Sequence, residues 1–353
     1  MASLQTGTGL YKQVIITETK QEVRGVKTFV LQEWEQKISY KPGQYLTFVH
    51  KLNTQEVRRS YSITSSPVLN EPISILVKRI ENGFFSRQLV DYAKPGDVLI
   101  TTGAGGFFIL PENIQHYKQL FFLAAGSGIS PIYSLLKTVL YSFPHISVVL
   151  IYSNKSPAKT IFRKPLQLLA KQFSNRFQLQ FLFSNVKDIS KGRLHKDFFN
   201  SLLNHYSLAA YKETLFYICG PQSYMRMCTY TLQEADVPKQ NIKKEDFAIQ
   251  RLVPATAMPP DKEPHHVTIK FGGKQYRFQS QYPKSILQTA KEHDVALPYS
   301  CETGRCGSCA ANCVEGSVWL QYNEVLTEAD IAKGITLTCV GYPVNSDVVL
   351  EIG

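Results

Sequence analysis

The stretch Ser300-Cys301-Glu302-Thr303-Gly304-Arg305-Cys306-Gly307-Ser308-Cys309 has the cysteine spacing C-x4-C-x2-C, and Cys339 follows after a longer gap. With this spacing, four thiolates hold a [2Fe–2S] cluster. The small residues and two glycines let backbone amides turn inward toward a buried, negatively charged group. The predicted metal ligands are Cys301, Cys306, Cys309 and Cys339. The sequence therefore predicts a built-in one-electron carrier.

Two other uses of the cysteines are weighed against this prediction. A structural zinc site usually needs two short C-x2-C pairs, and only one such pair occurs here. Disulfides are disfavoured because the chain has seven cysteines, an odd number, and residues 1–12 do not resemble a signal sequence. Cys228 and Cys313 are expected to be small buried hydrophobic residues rather than ligands.

Length and composition predict a globular protein of two or three domains. The chain has 353 residues, against about 150 for an ordinary domain. Hydrophobic residues make up 44% of it, enough to build several cores. No run approaches the roughly eighteen apolar residues of a membrane helix, and thiolates that must stay reduced favour the cytoplasm.

Positive charge is concentrated before residue 265. The net charge is +11, but residues 265–353 carry 7 Lys and Arg against 9 Asp and Glu, so that part is net −2 and the remainder net +13. The basic residues are dispersed and no nucleic-acid-reading motif is recognised, so nucleic acid is not an expected partner. We expect part of the charge to attract phosphate-bearing ligands.

The apolar pattern changes twice along the chain. Up to about Pro111, short strands separated by turns indicate an antiparallel β-barrel, with strands predicted at 44–49, 58–63, 73–80 and 97–101. From Gln119, strands at 120–124, 146–152, 177–183 and 215–218 alternate with helices that include 132–141 and 165–173. That alternation indicates a doubly wound parallel sheet.

We therefore divide the chain into a barrel at 1–113, an α/β domain at 114–249, a proline-containing linker at 250–264 and a third domain at 265–353. In the third domain a hairpin joins 267–271 and 274–278 across Gly272-Gly273, and the cysteine loop follows a short helix.

Within the barrel, Arg59-Ser60-Tyr61-Ser62-Ile63 carries a cation, an aromatic ring and hydroxyls on one strand. Side chains alternate along a strand, so Arg59, Tyr61 and Ile63 share one face and the two serines the other. Alone, such a stretch is more often an ordinary strand than a cofactor site.

Gly83-Phe84-Phe85-Ser86 opens an amphipathic helix with Leu89 and Val90 on its apolar side. The free amides and dipole of a helix N-terminus attract phosphate, although a plain capped helix fits the same residues.

In the α/β domain, Gly126-Ser127-Gly128-Ile129-Ser130-Pro131 follows an apolar strand and predicts a glycine turn and then a helix beginning at Pro131. The glycines permit close approach of a pyrophosphate. The third glycine of the usual dinucleotide fingerprint is missing, so the motif alone is weak. Cys219-Gly220-Pro221 follows a later strand, and an isolated Cys there is usually buried filler.

Taken together, these motifs resemble the ferredoxin–NADP reductase family, and specifically reductases with a ferredoxin domain fused at the C-terminus. The resemblance covers nearly the whole chain. It implies that the barrel binds FAD, that the α/β domain binds NAD(P)H and that the third domain is a β-grasp ferredoxin domain with a [2Fe–2S] cluster.

The resemblance also implies roles for residues of the flavin half. The R-x-Y-S motif, matched by Arg59, Tyr61 and Ser62, places Arg on phosphate, Tyr against the flavin ring and Ser near its reactive nitrogen. The G-x-x-S motif, matched by Gly83 and Ser86, takes the FAD pyrophosphate. Other expected flavin contacts are Ile63, Lys78, Phe85 and the ring shield Phe247, which follows Glu245-Asp246.

For the nucleotide half, the family form G-x-G-[IV]-[ST]-P is matched by Gly126, Gly128, Ser130 and Pro131. The C-G-P motif, matched by Cys219, Gly220 and Pro221, places its Cys beside the nicotinamide carbon that gives up hydride, in a positioning role. After the second strand, Ser153, Lys155 and Arg163 offer hydroxyl and cation donors and no acid stands there, which favours NADPH over NADH.

The implied activity is that of an NAD(P)H-dependent oxidoreductase. Hydride carries two electrons and the cluster accepts one at a time, so the flavin is the adapter between them. The first hypothesis is a reductase that delivers single electrons to a partner oxygenase. The alternatives are a reductase of another metalloprotein or ferredoxin in primary metabolism, and a non-catalytic redox sensor.

Overall fold

A computed structural model describes residues 10–34, 36–52, 55–186, 192–247 and 258–353, with the side chains of 51, 52 and 55 excepted. Within these ranges the chain forms three principal sheets, one after another in sequence. The predicted fold class is confirmed: an antiparallel barrel, a parallel sheet flanked by helices, and a smaller C-terminal domain. Residues 250–257 of the predicted linker lie outside the described residues, and 258–264 contain neither helix nor strand.

The barrel is a six-stranded antiparallel sheet of order β4-β3-β6-β1-β2-β5. Its strands are β1 Lys12–Val23, β2 Val26–Glu33, β3 Tyr45–Leu52, β4 Gln55–Ser62, β5 Ser74–Lys78 and β6 Val98–Gly105. An antiparallel bridge between Ile63 and Ile75 joins the two edges and closes the barrel. Helix α1, Phe84–Arg87, continues as a π-helical turn to Tyr92, and Leu89 and Val90 are buried as predicted.

The second sheet is parallel, of order β11-β10-β7-β8-β9. Its strands are β7 Gln119–Ala125, β8 Ser147–Asn154, β9 Phe177–Phe183, β10 Thr214–Cys219 and β11 Ile242–Glu245. The described helices around it are α2 Ile129–Ser142, α3 Arg163–Gln172, α4 Lys196–Tyr206 and α5 Gln222–Glu234. Every residue of β10 is buried, because helices cover both faces of a parallel sheet.

The prediction that α2 begins at Pro131 is wrong by two residues. Gly126–Gly128 forms a 3-10 turn that runs directly into the helix at Ile129. Proline is tolerated at the third helical position because the first N–H groups of a helix have no partner within it.

The C-terminal domain has the sheet order β13-β12-β18-β14-β16, with a separate pair β15-β17. Its elements are β12 His265–Phe271, β13 Lys274–Ser280, α6 Ile286–Glu292, β14 Ala310–Glu315, β15 Val318–Leu320, α7 Glu328–Ala332, β16 Ile335–Leu337, β17 Gly341–Pro343 and β18 Val348–Ile352. The predicted hairpin is confirmed: Gly272 and Gly273 make its turn with φ of 58° and 73°. The cysteine loop follows α6, as predicted.

Polar contacts attach α2 to the loop that follows β4. Ser134 Oγ donates to the Ser65 carbonyl at 2.6 Å, and the hydroxyls of Ser66 and Thr138 lie 2.7 Å apart. Lys137, which is 6% exposed, forms an ion pair with Glu71. These contacts fix the loop after the R-x-Y-S strand to the helix that follows the glycine turn.

All seven cysteines are free. Cys228 is fully buried, as expected. The expectation for Cys313 is wrong in degree: it is only half-buried, because its Sγ faces the turn after β14 and lies 3.3 Å from the Glu315 carbonyl. None of the helices in the described ranges is both long enough and apolar enough to cross a membrane.

The core of the parallel sheet gives a stability prediction. Phe216 is fully buried on β10 and stacks on Phe121 with ring centroids 5.1 Å apart. Phe216→Ala removes that packing and leaves a cavity, so we expect a loss of about 3–5 kcal/mol in the free energy of unfolding. Leu208→Ala, at a site that is 75% exposed, is the control and should change little. Equal denaturation midpoints for the two variants would contradict the assignment of Phe216 to the core.

Candidate functional site

The four predicted cluster ligands lie together, three in the loop between α6 and β14 and one just after β16. The Cys301 thiol hydrogen bonds with those of Cys306 and Cys339, and Cys339 also contacts Cys309. These bonds lower the pKa of Cys301, whereas the bonds with Cys301 raise the pKa of Cys306 and Cys339. Thiols this close cannot all ionise without a cationic partner, and all must be thiolates to ligate one.

The backbone of the loop turns toward these sulfurs. The amides of Thr303 and Ser308 donate to Sγ of Cys301 and Cys306 at 3.4 and 3.5 Å. Gly304 has a φ of 73°, and a Cβ there would lie 2.6 Å from the Tyr322 carbonyl oxygen. Amides aimed at sulfur stabilise thiolate ligands, so the loop fits a group held by four thiolates.

The four thiols and the backbone amides aimed at them fit a [2Fe–2S] cluster. A [2Fe–2S] cluster bound by the four thiols supplies one-electron transfer.

Strand β4 sends its side chains in two directions, as its alternation predicts. Tyr61 packs against the barrel core and stacks on Phe85 with ring centroids 6.0 Å apart. Ser60 points the other way and its Oγ lies 2.8 Å from that of Ser300, beside the cysteine loop. One strand therefore contacts both the predicted flavin residues and the C-terminal domain.

The other predicted flavin residues lie around this strand. Arg59 donates to the Arg58 carbonyl at 2.7 Å, Ser62 is buried, and Ile63 is fully buried in the barrel core. Gly83 precedes α1 without a side-chain cap, and Ser86 Oγ donates to its carbonyl. The uncapped amides at the start of α1 fit the phosphates of a flavin nucleotide.

Tyr45, which sequence reasoning missed, links the end of β4 to the cysteine loop. It pairs across the strands with Ser62, and its hydroxyl donates to the Cys306 carbonyl at 2.5 Å. The same hydroxyl lies 2.8 Å from Ser308 Oγ. Burial raises the pKa of Tyr45 well above its ordinary value, so the phenol is a neutral donor.

The two nucleotide motifs meet at the C-terminal edge of the parallel sheet. Ala124 of β7 is paired with Cys219 of β10, so the turns after these strands are neighbours. A Cβ on Gly128 would lie 2.1 Å from the Cys219 carbonyl oxygen, which leaves room only for glycine. Ser130 is buried at the start of α2, where its Oγ donates to the Ser127 carbonyl.

The Cys219 thiol lies beside acidic residues at the end of β11. Burial raises its pKa well above the ordinary value, and the charges of Glu245 and Asp246 add to the effect. A neutral thiol is a poor nucleophile, which agrees with a positioning role. Burial also raises the pKa of Glu245 to about 8. Phe247, the predicted ring shield, follows directly and is 43% exposed.

A cleft of 1230 Å³ lies between the barrel and this edge of the sheet. Its volume exceeds the roughly 300–1,000 Å³ of most small-molecule sites, so the cleft has room for a dinucleotide. It brings together five of the predicted site residues: Lys78, Gly126, Ser153, Lys155 and Pro221. Arg163 begins α3, is exposed, and is not among the residues that line the cleft.

The cleft is basic, and several of its cations were missed by sequence reasoning. Those additional cations are Arg24, Arg79, Lys159 and Arg193, against one acid, Glu81. Arg79 is already paired with Asp91 at 2.9 Å. These cations come from separate elements that only the fold brings together.

Two buried hydroxyls, those of Ser153 and Tyr224, line the cleft. Burial raises the pKa of Tyr224 well above its ordinary value, and its contact with Ser153 opposes that effect. The phenol is therefore a neutral group in the wall of the cleft.

Comparison with known families agrees with this architecture. The oxidoreductase FAD-binding domain matches residues 13–109, the oxidoreductase NAD-binding domain residues 122–229, and the 2Fe-2S iron-sulfur cluster binding domain residues 269–344.

Relatives match this chain over nearly its whole length. A component of the 1,2-phenylacetyl-CoA epoxidase from Escherichia coli is 28% identical over 97% of each chain. The ferredoxin reductase component of 3-ketosteroid-9-alpha-monooxygenase from Rhodococcus rhodochrous is 27% identical over 95% of this chain and 94% of its own. The solved structure of phthalate dioxygenase reductase has the same fold, with a TM-score of 0.58 at 23% identity over 97% of this chain and 98% of that one.

The chain therefore joins an oxidoreductase FAD-binding domain, an oxidoreductase NAD-binding domain and a 2Fe-2S iron-sulfur cluster binding domain, and it is an oxidoreductase that passes electrons from a nicotinamide nucleotide through FAD to the cluster.

Proposed function

We propose that this chain is the NADPH-dependent reductase component of an oxygenase system and delivers single electrons to the metal centre of that oxygenase. The observation that carries the proposal is the contact between the cysteine loop and the end of β4. Tyr45 of β3 is paired with Ser62 of β4, and its hydroxyl donates to the Cys306 carbonyl. An electron leaving the flavin site has the cluster site next to it. The relatives named above, components of an epoxidase and a monooxygenase, support an oxygenase as the acceptor.

The proposed flavin site combines the barrel strand with α1. Tyr61 and Phe85 provide an aromatic surface for the ring, and Arg59 with Lys78 provides positive charge for phosphate. Gly83 and Ser86 hold the pyrophosphate at the uncapped helix start. Ser62 is the donor at the reactive ring nitrogen, Ile63 supports it from the core, and Phe247, two residues after β11, covers the ring.

The proposed nucleotide site lies across the two adjacent turns. Gly126, Gly128, Ser130 and Pro131 cradle the pyrophosphate, and Gly220 and Pro221 shape the opposite wall. Cys219 orients the nicotinamide toward the flavin without forming a bond to it. Its thiol stays protonated because burial disfavours the thiolate.

The preference for NADPH is supported by the charge of the cleft. A 2′-phosphate needs cations and hydroxyl donors, and Ser153, Lys155 and Arg193 line the same cavity. Arg163, on the exposed start of α3, lies outside that lining.

The proposal also includes the boundaries of the domains and the location of the protein in the cell. We assign residues 1–113 to flavin binding, 114–249 to nucleotide binding, 250–264 to the linker and 265–353 to the cluster. Four thiolates that must stay reduced support a cytoplasmic location.

The electron path is tested by Cys301→Ser. Serine oxygen is a poor substitute for a soft thiolate ligand, so NADPH-driven reduction of cytochrome c should fall by about tenfold or more. Reduction of ferricyanide, which the flavin can perform alone, should persist. Cys313→Ser is the matched control, because Cys313 is half-buried and outside the ligand set. Loss of both reactions in a folded, flavin-loaded Cys301→Ser protein would count against separate flavin and cluster sites.

The nucleotide preference is tested by Lys155→Ala and Arg193→Ala. Each removes a charge-assisted contact to the 2′-phosphate, worth about 1.5–3 kcal/mol, so KM for NADPH should rise roughly tenfold or more while KM for NADH is unchanged. Lys171→Ala, at an exposed site in the last turn of α3, is the control. Equal changes for the two nucleotides, or a wild-type preference for NADH, would refute the assignment.

A further inference from the structure

Arg58 is a buried cation outside the predicted flavin site. It precedes Arg59 on β4 and is only 6% exposed. Alternation along the strand turns it away from Arg59 and Tyr61, onto the face that meets the C-terminal domain. A buried guanidinium needs several partners, since an uncompensated charge is costly to bury.

Two of those partners lie in the segment just before the cysteine loop. Arg58 Nη1 donates to the carbonyls of Leu297 and Tyr299, each at 3.3 Å. Its Cζ lies 3.6 Å from the centroid of the Tyr299 ring, which is a close cation–π contact. The C-terminal domain therefore supplies two acceptors and an aromatic face to one residue of the barrel.

The barrel orients Arg58 toward these partners. Glu56 Oε2 accepts from Nη2 at 2.9 Å and from Nε at 3.2 Å, and Glu56 Oε1 accepts from the Tyr11 hydroxyl at 2.7 Å. Glu56 therefore balances the charge of Arg58 from within the barrel and holds its guanidinium in place. Lysine, with a single flexible ammonium, could not make all these contacts.

Tyr299 is equally fixed on its own side. Lys291 Nζ lies 3.7 Å from the centroid of the same ring and forms an ion pair with Glu302 at 2.7 Å. Tyr299 is two residues before Cys301, so the hydrogen bond from Arg58 to its carbonyl restrains the backbone next to the cluster ligands.

The interface continues from Arg58 toward the cluster on the same face of the barrel. Ser60 meets Ser300 at 2.8 Å, Tyr45 meets the Cys306 carbonyl, and a Cβ on Gly307 would lie 2.6 Å from the Phe107 ring. Of these contacts, only that of Arg58 carries a full charge.

We propose that Arg58 is a positioning residue that docks the C-terminal domain on the barrel through Tyr299 and thereby sets the rate of electron transfer from flavin to cluster. The inference rests on the proposed function. Domains of one chain move relative to each other unless their interface restrains them. Electron transfer falls steeply with distance, so a docked cysteine loop transfers faster than a tethered one. In the step concerned, one electron leaves flavin reduced by the nicotinamide nucleotide and enters the oxidised cluster.

The test uses the full, cofactor-loaded chain with Arg58→Gln, Tyr299→Leu and the double variant. After anaerobic mixing with NADPH, flavin reduction should keep its wild-type rate, whereas cluster reduction should slow by about tenfold or more in each variant. The double variant should be no slower than Arg58→Gln alone, because that variant already removes the contact with the Tyr299 ring. Small-angle scattering should show a larger radius of gyration, while iron content and the spectrum of the cluster stay unchanged.

Arg277→Gln is the control. The Arg277 side chain, on β13, is 62% exposed, and its ion pair with Asp347 is long, at 3.9 Å. It should match the wild type in every measurement. The proposal is overturned if Arg58→Gln and Tyr299→Leu keep both the wild-type cluster rate and radius, or if their effects multiply. Failure of the proposed function would differ, because the wild-type cluster itself would then not be reduced by NADPH.

Discussion

Successive side chains of a β-strand point to opposite faces, and this constraint on β4 organises the molecule. Tyr61 turns inward to stack on Phe85, and its neighbours Ser60 and Arg58 turn outward to the C-terminal domain. A single strand therefore carries Tyr61 of the proposed flavin site and, on its other face, the residues that contact the C-terminal domain.

The same end of the barrel also receives the nucleotide half. The loop after β4 is held to α2 by Ser65 and Ser134 and by the ion pair of Glu71 with Lys137. Because α2 begins at the glycine turn, this attachment fixes the nucleotide turn relative to the flavin strand. The proposed sites for the hydride donor, the flavin and the cluster are thus formed by elements that start or end at this end of the barrel.

Much of the arrangement could be predicted from local patterns. Cys301 to Cys309 and the glycine turn at Gly126 are short motifs in which the chemistry needs particular residues at fixed spacing. The fold class follows from the change in the spacing of apolar residues along the chain. Known family models match the three predicted domains.

What could not be predicted depends on residues far apart in sequence. Arg58 and Tyr299 are separated by 241 positions, and nothing local to either one indicates the other. The Arg58-Arg59 pair offered one signal, because neighbouring cations on a strand must face different environments. Arg193 enters the cleft from another element, whereas Arg163, which sequence spacing favoured, lies outside the lining.

An anaerobic titration with NADPH, followed by absorbance and combined with iron and acid-labile sulfide analysis, tests the central claim most directly. FAD accepts two electrons and a [2Fe–2S] cluster one, so the account predicts an uptake of about three electrons per chain, with bleaching of both flavin and cluster bands. An uptake of about two electrons that leaves the cluster band unchanged, or zinc in place of iron and sulfide, would contradict it.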